Sequence, residues 1–487
     1  MGGLIALLDK NGEDATEAAF TMLGALSLEH ADAYGIASPS IIKVEKAFEK
    51  LRCLKLRSNT VIGHAFSRIL VQDKAQPLRT GDASLVFEGR IFPAQNLKCD
   101  AEIFALKVSE GETERLKKFV RETRGDFVFV LMKPERLVVG RDVLGVKPLY
   151  YGENRVFAGL ASERKALWKI GIRDVNSFPP GTVAEVSKHG FRFVGAKRIV
   201  ASNPTQQTIE QASRRLENLL EKSVCERTAG LEEVAVAFSG GLDSSIIAFL
   251  ASRAGAHVQL VHVSLENQSE TEHAKNVADE LKLPIHSGTY TEKDVLETLP
   301  NVLRLIEEND PVKTSVGIPF FWMAKTAAQL RQKVVLAGQG GDELFAGYRR
   351  YVDDYISKGP EKVQQTIFQD ITEMHKNNLE RDVKICNFHG IELRLPFATY
   401  EMAKFALSLP LELKLQPTQN TLRKLVLRQV GHNLGLPQSV IDRPKKAVQY
   451  TTGVNKVLES LARRNKQSLM EYLTRVYQTV LNKDDLA

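Results

Sequence analysis

Apolar positions in the first 195 residues fall in short runs closed by turn residues. Examples are GLIALL (3–8), TVIGHAFSRILV (60–71), ASLVFEG (83–89), DFVFVLM (126–132) and RLVVGRD (136–142). Runs of this length, punctuated this often, predict a β-rich layered domain. Helical spacing occurs only at 15–28 and around 101–123. SFPPGTVAEV (177–186) predicts a turn leading into a strand, because two consecutive prolines exclude helix.

The pattern changes after the polar linker at Ala201–Pro204. TIEQASRRLENLLEKSVCERTAG (208–230) places Ile209, Ala212, Leu216, Leu219 and Leu220 at helical spacing. VAVAF (234–238) is a continuous apolar run, as a buried parallel strand requires. A glycine turn and a helix follow, then the strand VQLVHVSL (258–265) and the helix TEHAKNVADELK (271–282). A long helical region covers 292–332, KVVLAGQGGDELF (333–345) repeats strand, glycine turn and helix, and the chain beyond about 360 is mainly helical. This alternation predicts helices covering a parallel sheet.

The two glycine turns carry the candidate chemistry. In Ser239-Gly240-Gly241-Leu242-Asp243-Ser244-Ser245 the glycines permit a tight turn and close backbone approach to a ligand. The following helix aims its free N–H groups and positive dipole end at the loop, which makes a cradle for phosphate oxygens. There is no GK[ST] ending, so this is not the loop of γ-phosphate-transferring enzymes. A serine- or aspartate-capped helix is the plainer alternative. Gly338-Gln339-Gly340-Gly341-Asp342-Glu343 sits in the same context. Both turns should open on the carboxyl edge of one sheet, where ligands bind. Asp243 and Asp342 would then share a Mg²⁺ ion, since hard oxygens suit that cation.

Composition narrows the class without choosing the function. The 487 residues are 43% hydrophobic and 26% charged, with 66 basic against 59 acidic residues. That proportion suits a globular protein of several domains. The net charge of +7 is spread along the chain and fits anionic small substrates as well as RNA. Cys53, Cys99, Cys225 and Cys386 are far apart, with no CxxC pair. A reducing cytoplasm is therefore expected, without disulfides or zinc. No apolar run approaches the ~20 residues that span a bilayer, and no signal peptide is evident.

SGGLDSS (239–245), GQGGDELFAGY (338–348), GIELRLPF (390–397) and RPKKAVQY (443–450) resemble the synthetase domain of glutamine-dependent asparagine synthetases. The first half matches the same family at GHAFSRI (63–69), QP (76–77), FEGRIF (87–92), RGDF (124–127), GRDVLGVKPLYY (140–151) and ASERKAL (161–167). The resemblance implies a class II amidotransferase-like Ntn-type αββα sandwich over 1–196. A PP-loop ATP pyrophosphatase domain of the adenine nucleotide α-hydrolase type would span 206–487. It also implies ATP with Mg²⁺, and asparagine biosynthesis through an acyl-adenylate. Ser239, Gly240, Gly241, Asp243, Ser244 and Gly341 would surround the pyrophosphate. Val263 and Gly338 would lie near the adenosine, and Lys445 would stabilise charge at the activated phosphate. Arg68 and Asp100 match positions that hold the charged end of glutamine.

Several positions depart from the family pattern. The family's glutaminase nucleophile is a cysteine where this chain has Gly2. Its oxyanion-binding Asn-Gly-Glu reads Glu88-Gly89-Arg90, and a carboxylate there repels developing negative charge. This half is expected to be a degenerate glutaminase in which Arg68 and Asp100 are vestigial. A family glutamate is replaced by Gln339, which takes no proton at neutral pH. The aspartate-pocket arginine is lost from Val312-Lys313-Thr314-Ser315, and a nearby lysine does not reproduce bidentate binding.

Three functions stay open at this point. The first is an AMP-forming amide ligase acting on aspartate or another carboxylate, using ammonia that is free or delivered by a separate glutaminase. The second is a non-catalytic sensor of glutamine or nucleotide. The third is a PP-loop enzyme of RNA modification, disfavoured because no RNA-binding appendage is evident, so nucleic acid is not expected as a partner. A homodimer is compatible with the sequence but not specified by it.

Overall fold

The computed structural model describes residues 2–94, 98–108, 113–416, 422–444 and 452–486. The chain divides into two compact units, one of Met1–Arg198 with Asn387–Glu392 and one of Ile199–Cys386 with Leu393–Ala487.

The first unit contains two antiparallel sheets. One has seven strands in the order Val175–Ser177, Tyr150–Glu153, Phe157–Ala161, Gly2–Asp9, Thr60–Phe66, Ala33–Ala37, Ile42–Glu45. The other has six, in the order Gly190–Gly195, Thr182–Ser187, Arg136–Arg141, Arg124–Lys133, Ala83–Phe92, Leu78–Thr80. Alternation along each strand sends side chains to both faces. Leu4, Ala6 and Leu8 meet Val128, Val130 and Met132 in a core between the sheets. Ile5 and Leu7 face the opposite way, onto Ala19, Phe20 and Leu23 of helix Thr16–Gly24. Phe127, Phe129 and Leu131 face helices Asp100–Lys107 and Thr113–Glu122 through Phe104, Leu116 and Phe119. Helix, sheet, sheet and helix layers make the expected αββα sandwich. In the apolar run 60–71 the strand ends at Phe66. There the Ile69 and Leu70 N–H groups turn to the Asp73 carboxylate instead of a neighbouring strand.

The second unit is built on a sheet in the order Ile285–Tyr290, His257–Leu265, Glu233–Ala237, Val334–Leu336, Glu392–Arg394. Its first four strands pair in parallel. Helix Ile209–Thr228 begins with a capping box, in which Thr208 accepts from the Gln211 N–H and the Gln211 side chain reaches back. The helical stretch 292–332 is two helices, not one. Glu292–Ile306 ends where Glu307 turns left-handed (φ 60°), and Asp310 caps Pro311–Gln329 by accepting from the Lys313 N–H. In that helix Trp322 is buried, stacks on Tyr290 with ring centroids 4.2 Å apart, and donates to Thr298. No disulfide joins the four cysteines, and among the described residues no helix is long and apolar enough to cross a membrane.

Candidate active site

Strand Glu233–Ala237 delivers the first glycine loop, and helix Leu242–Arg253 leaves it. Gly240 takes φ +66°, and a Cβ there would lie 2.9 Å from His273 Cδ2, so glycine suits both the turn and the packing. His273 Nε2 donates to the Gly240 carbonyl at 3.0 Å and steadies the loop. The Ser239 and Gly241 N–H groups reach only the hydroxyls of Ser244 and Ser239, each at 3.3 Å. These are long bonds that a phosphate oxygen could replace. His262 donates from Nδ1 to the Phe238 carbonyl at 3.0 Å, and burial depresses its pKa, so the imidazole is held neutral.

The second loop follows strand Val334–Leu336. Its helix is a single short turn, Gly341–Leu344. The two loops touch. A Cβ on Gly338 would stand 2.9 Å from Asp243 Cβ, and one on Gly341 would stand 3.2 Å from Asp243 Cγ. Asp243 and Asp342 are thereby brought together: Lys424 Nζ lies 2.5 Å from Asp243 Oδ2 and 2.6 Å from Asp342 Oδ1. Two carboxylates that share one ammonium can share one metal ion. Among the described residues no cluster of three or more metal-binding side chains occurs.

Both loops open into a cavity of about 890 Å³ lined by Ser239, Asp243, Ser244, Val263, Gly338, Gln339 and Asp342, among others. Gln339 donates to Asp382, a fully buried carboxylate whose oxygens also receive Arg381 at 2.7 and 3.0 Å. Since that carboxylate takes the amide N–H₂, the Gln339 carbonyl is the end left to accept. Lys313 lines the cavity but is ion-paired to Glu308. Lys445 lies outside the described residues. Arg443, in the same motif, pairs with Glu270 on the cavity wall.

Glu343 is buried beneath this site and accepts from Tyr348 and Asn378. Burial, reinforced by the neighbouring Asp342 charge, pushes its pKa up to about 6. A carboxyl raised from 4.5 is neutral in both states only well below pH 4.5. It then loses stability as pH rises through 6. In protein free of nucleotide and divalent ions, Glu343→Gln should therefore be more stable by about 2 kcal/mol at pH 7.5, and by only about 0.4 kcal/mol at pH 4.5. Urea denaturation at the two pH values checks this. An equal difference at both would exclude titration of Glu343 as its origin.

The candidate glutamine-binding residues Arg68 and Asp100 both belong to the first unit. Arg68 is exposed, with only its N–H directed to Asp32. Asp100 pairs with Arg90 at 3.2 Å and accepts from the Ile91 N–H. Burial raises the Asp100 carboxyl against the pull of Arg90. Arg90 is itself buried and also grips Asp73 at 2.6 Å. Glu88 is buried, accepts the Gly2 N–H at 3.0 Å and lies 3.0 Å from His64 Nε2. A Cβ on Gly2 would fall 1.8 Å from the Ala65 carbonyl oxygen.

The asparagine synthase sequence profile matches residues 215–361 and 355–484, and a glutamine amidotransferase profile matches 64–169. The chain belongs to the asparagine synthetase family. A Methanocaldococcus jannaschii relative, provisionally named asparagine synthetase (glutamine-hydrolyzing) 1, is 31% identical over 76% of this chain and 77% of its own. Asparagine synthetase (glutamine-hydrolyzing) 2 of Lotus japonicus is 29% identical over 80% of this chain and 70% of its own. Members of the asparagine synthetase family are ligases that form carbon–nitrogen bonds with ATP. Sequence reasoning missed Lys424, Asp382 and Glu343. Lys424 sits in LRKLVLR, where a basic run reads as a solvated helix face.

Proposed function

We propose that this asparagine synthetase homologue is an AMP-forming amide ligase that does not draw ammonia from its own glutaminase half. Residues 206–487 act as the ATP pyrophosphatase domain, and 1–196 as an amidotransferase-like domain that has lost glutamine hydrolysis. The observation that carries the reading is the convergence of Asp243 and Asp342 from two glycine loops on one cation position. In this scheme Ser239, Gly240, Gly241, Ser244 and Gly341 cradle the pyrophosphate of ATP, while Val263 and Gly338 flank the adenosine. A carboxylate oxygen of the acid substrate attacks the α-phosphorus, and pyrophosphate leaves. Ammonia then adds to the acyl carbon of the adenylate, and AMP departs. Asp243 and Asp342 would hold Mg²⁺, which neutralises charge on the leaving pyrophosphate. Lys445 would stand at the α-phosphate, where a preorganised cation in a dry site is most effective. Gln339, fixed by Asp382, offers an acceptor for an N–H of the incoming amine without acting as a base.

The loss of glutaminase rests on Gly2, where the strand leaves no room for a side chain, and on Glu88, a carboxylate at a position that would need to donate to an oxyanion. Aspartate is the default acid. The pairing of Lys313 with Glu308 leaves room for a different carboxylate.

The purified protein should release pyrophosphate and form an amide with ATP, Mg²⁺, an acid and ammonium, but not with glutamine in place of ammonium. Aspartate is tested first. Equal rates with glutamine would overturn the glutaminase reading. ATP binding without turnover on any acid would instead favour a nucleotide-sensing role.

A further inference from the structure

Lys424 has the geometry of a bound cation. Its side chain is 3% exposed, and its ammonium bridges two carboxylates at 2.5 and 2.6 Å. The backbone is arranged to present it. Lys424 takes a left-handed φ of 62° at the start of helix Leu425–Asn433, and its carbonyl accepts the Arg428 N–H at 2.9 Å. A non-glycine residue in that region is uncommon and is held there by its surroundings. The loop opposite is cut away to fit. A Cβ on Gly347 would lie 2.0 Å from Asp342 Oδ1 and 2.3 Å from Lys424 Cε, so that position admits no side chain while the bridge is made.

We infer that Lys424 is the resident counter-ion of the metal seat and sets the order in which metal enters. The inference rests on the proposed assignment of Asp243 and Asp342 as metal ligands. A divalent ion needs the same two oxygens that the ammonium occupies. With no nucleotide bound, Lys424 offsets half of the negative charge of the facing carboxylates and holds the two glycine loops together. A bare divalent ion must displace a buried, doubly paired cation for only two protein ligands, and so binds weakly. An ion arriving with a triphosphate brings further oxygen ligands and overcomes the same competitor. Lys424 is thus a positioning residue. It keeps the seat assembled and makes metal occupancy conditional on nucleotide.

The test is Mn²⁺ binding, followed by the electron paramagnetic resonance signal of the free ion, with and without ATP. Wild type should bind bare Mn²⁺ weakly and Mn²⁺ with ATP tightly. Lys424→Gln and Lys424→Met should bind bare Mn²⁺ about tenfold tighter than wild type or more. Their melting temperatures should also rise with Mg²⁺ alone, and that of wild type should not. The glutamine variant keeps a hydrogen-bonding group of similar reach and carries the measurement if the methionine variant does not fold. Wild type alone gives a further check, since bare-ion affinity equal to that with ATP would overturn the inference. Asp243→Asn separates the two levels. If it retains Mn²⁺ with ATP at wild-type affinity, the metal-ligand assignment fails, and this inference with it. If it loses Mn²⁺ while the Lys424 variants bind the bare ion no tighter than wild type, only the role of Lys424 is overturned.

Discussion

Replacing Asp342 by Asn is expected to lower the rate of pyrophosphate release by about a hundredfold to a thousandfold, with little change in melting temperature. The size follows from the charge the carboxylate organises. Asn keeps the shape and one oxygen, yet it removes half of the negative charge that faces the shared cation position. Preorganised charge at a reacting phosphate acts in a water-poor site, where losing one such group typically costs ~10²–10³ in rate. Stability should suffer less. Lys424 keeps its bond to Asp243, and the pair is released from a crowded trio of charges. Steady-state pyrophosphate release at saturating ATP, with ATP binding measured beside it, distinguishes the outcomes. Activity within threefold of wild type would remove Asp342 from the site.

Restoring a thiol by Gly2→Cys should yield no glutamine hydrolysis, and should destabilise the first unit by about 2–4 kcal/mol. The reason is local. Gly2 opposes Phe66, and Gly3 opposes Ala65, in the pairing of strands Gly2–Asp9 and Thr60–Phe66. The new Cβ would be driven into the Ala65 carbonyl oxygen, 1.8 Å away, and backbone cannot move aside as a flexible side chain can. Even if the strand end shifted, Glu88 would still present a carboxylate beside the Gly2 N–H. A glutamate-release assay and a thermal melt decide the matter. Glutamine hydrolysis above the wild-type background would show that the loss lies in one residue and not in the pocket around it.

The layered order of the first unit was legible because its strands alternate cleanly or run apolar for five or more residues. Leu4 to Leu8 send side chains to two different cores, as a period of two requires. Both glycine loops were legible for a similar reason: each follows a buried strand, and glycine there answers a steric demand. What stayed hidden depends on partners distant in sequence. Asp100 gave no sign of its ion pair with Arg90, ten residues earlier on a neighbouring strand. Gln339 gave no sign of Asp382, which lies in a later helix. Lys424 is the clearest case. Only its bridge between Asp243 and Asp342 separates it from the other basic residues around it, and that placement has no sequence signature. The break at Glu307 was missed because one left-handed residue followed by an Asp-Pro cap leaves the apolar spacing on either side intact.

The protein has two tryptophans, and each unit holds one: Trp168 at the end of helix Arg164–Trp168, and Trp322 stacked on Tyr290. The indole of Trp322 is sealed from solvent and hydrogen-bonded, so it reports its unit through a blue-shifted emission that moves red when that unit opens. Trp168 is half-buried and reports the other. Single Trp→Phe replacements would therefore give two optically separate proteins, in which the melting of each unit can be followed one at a time.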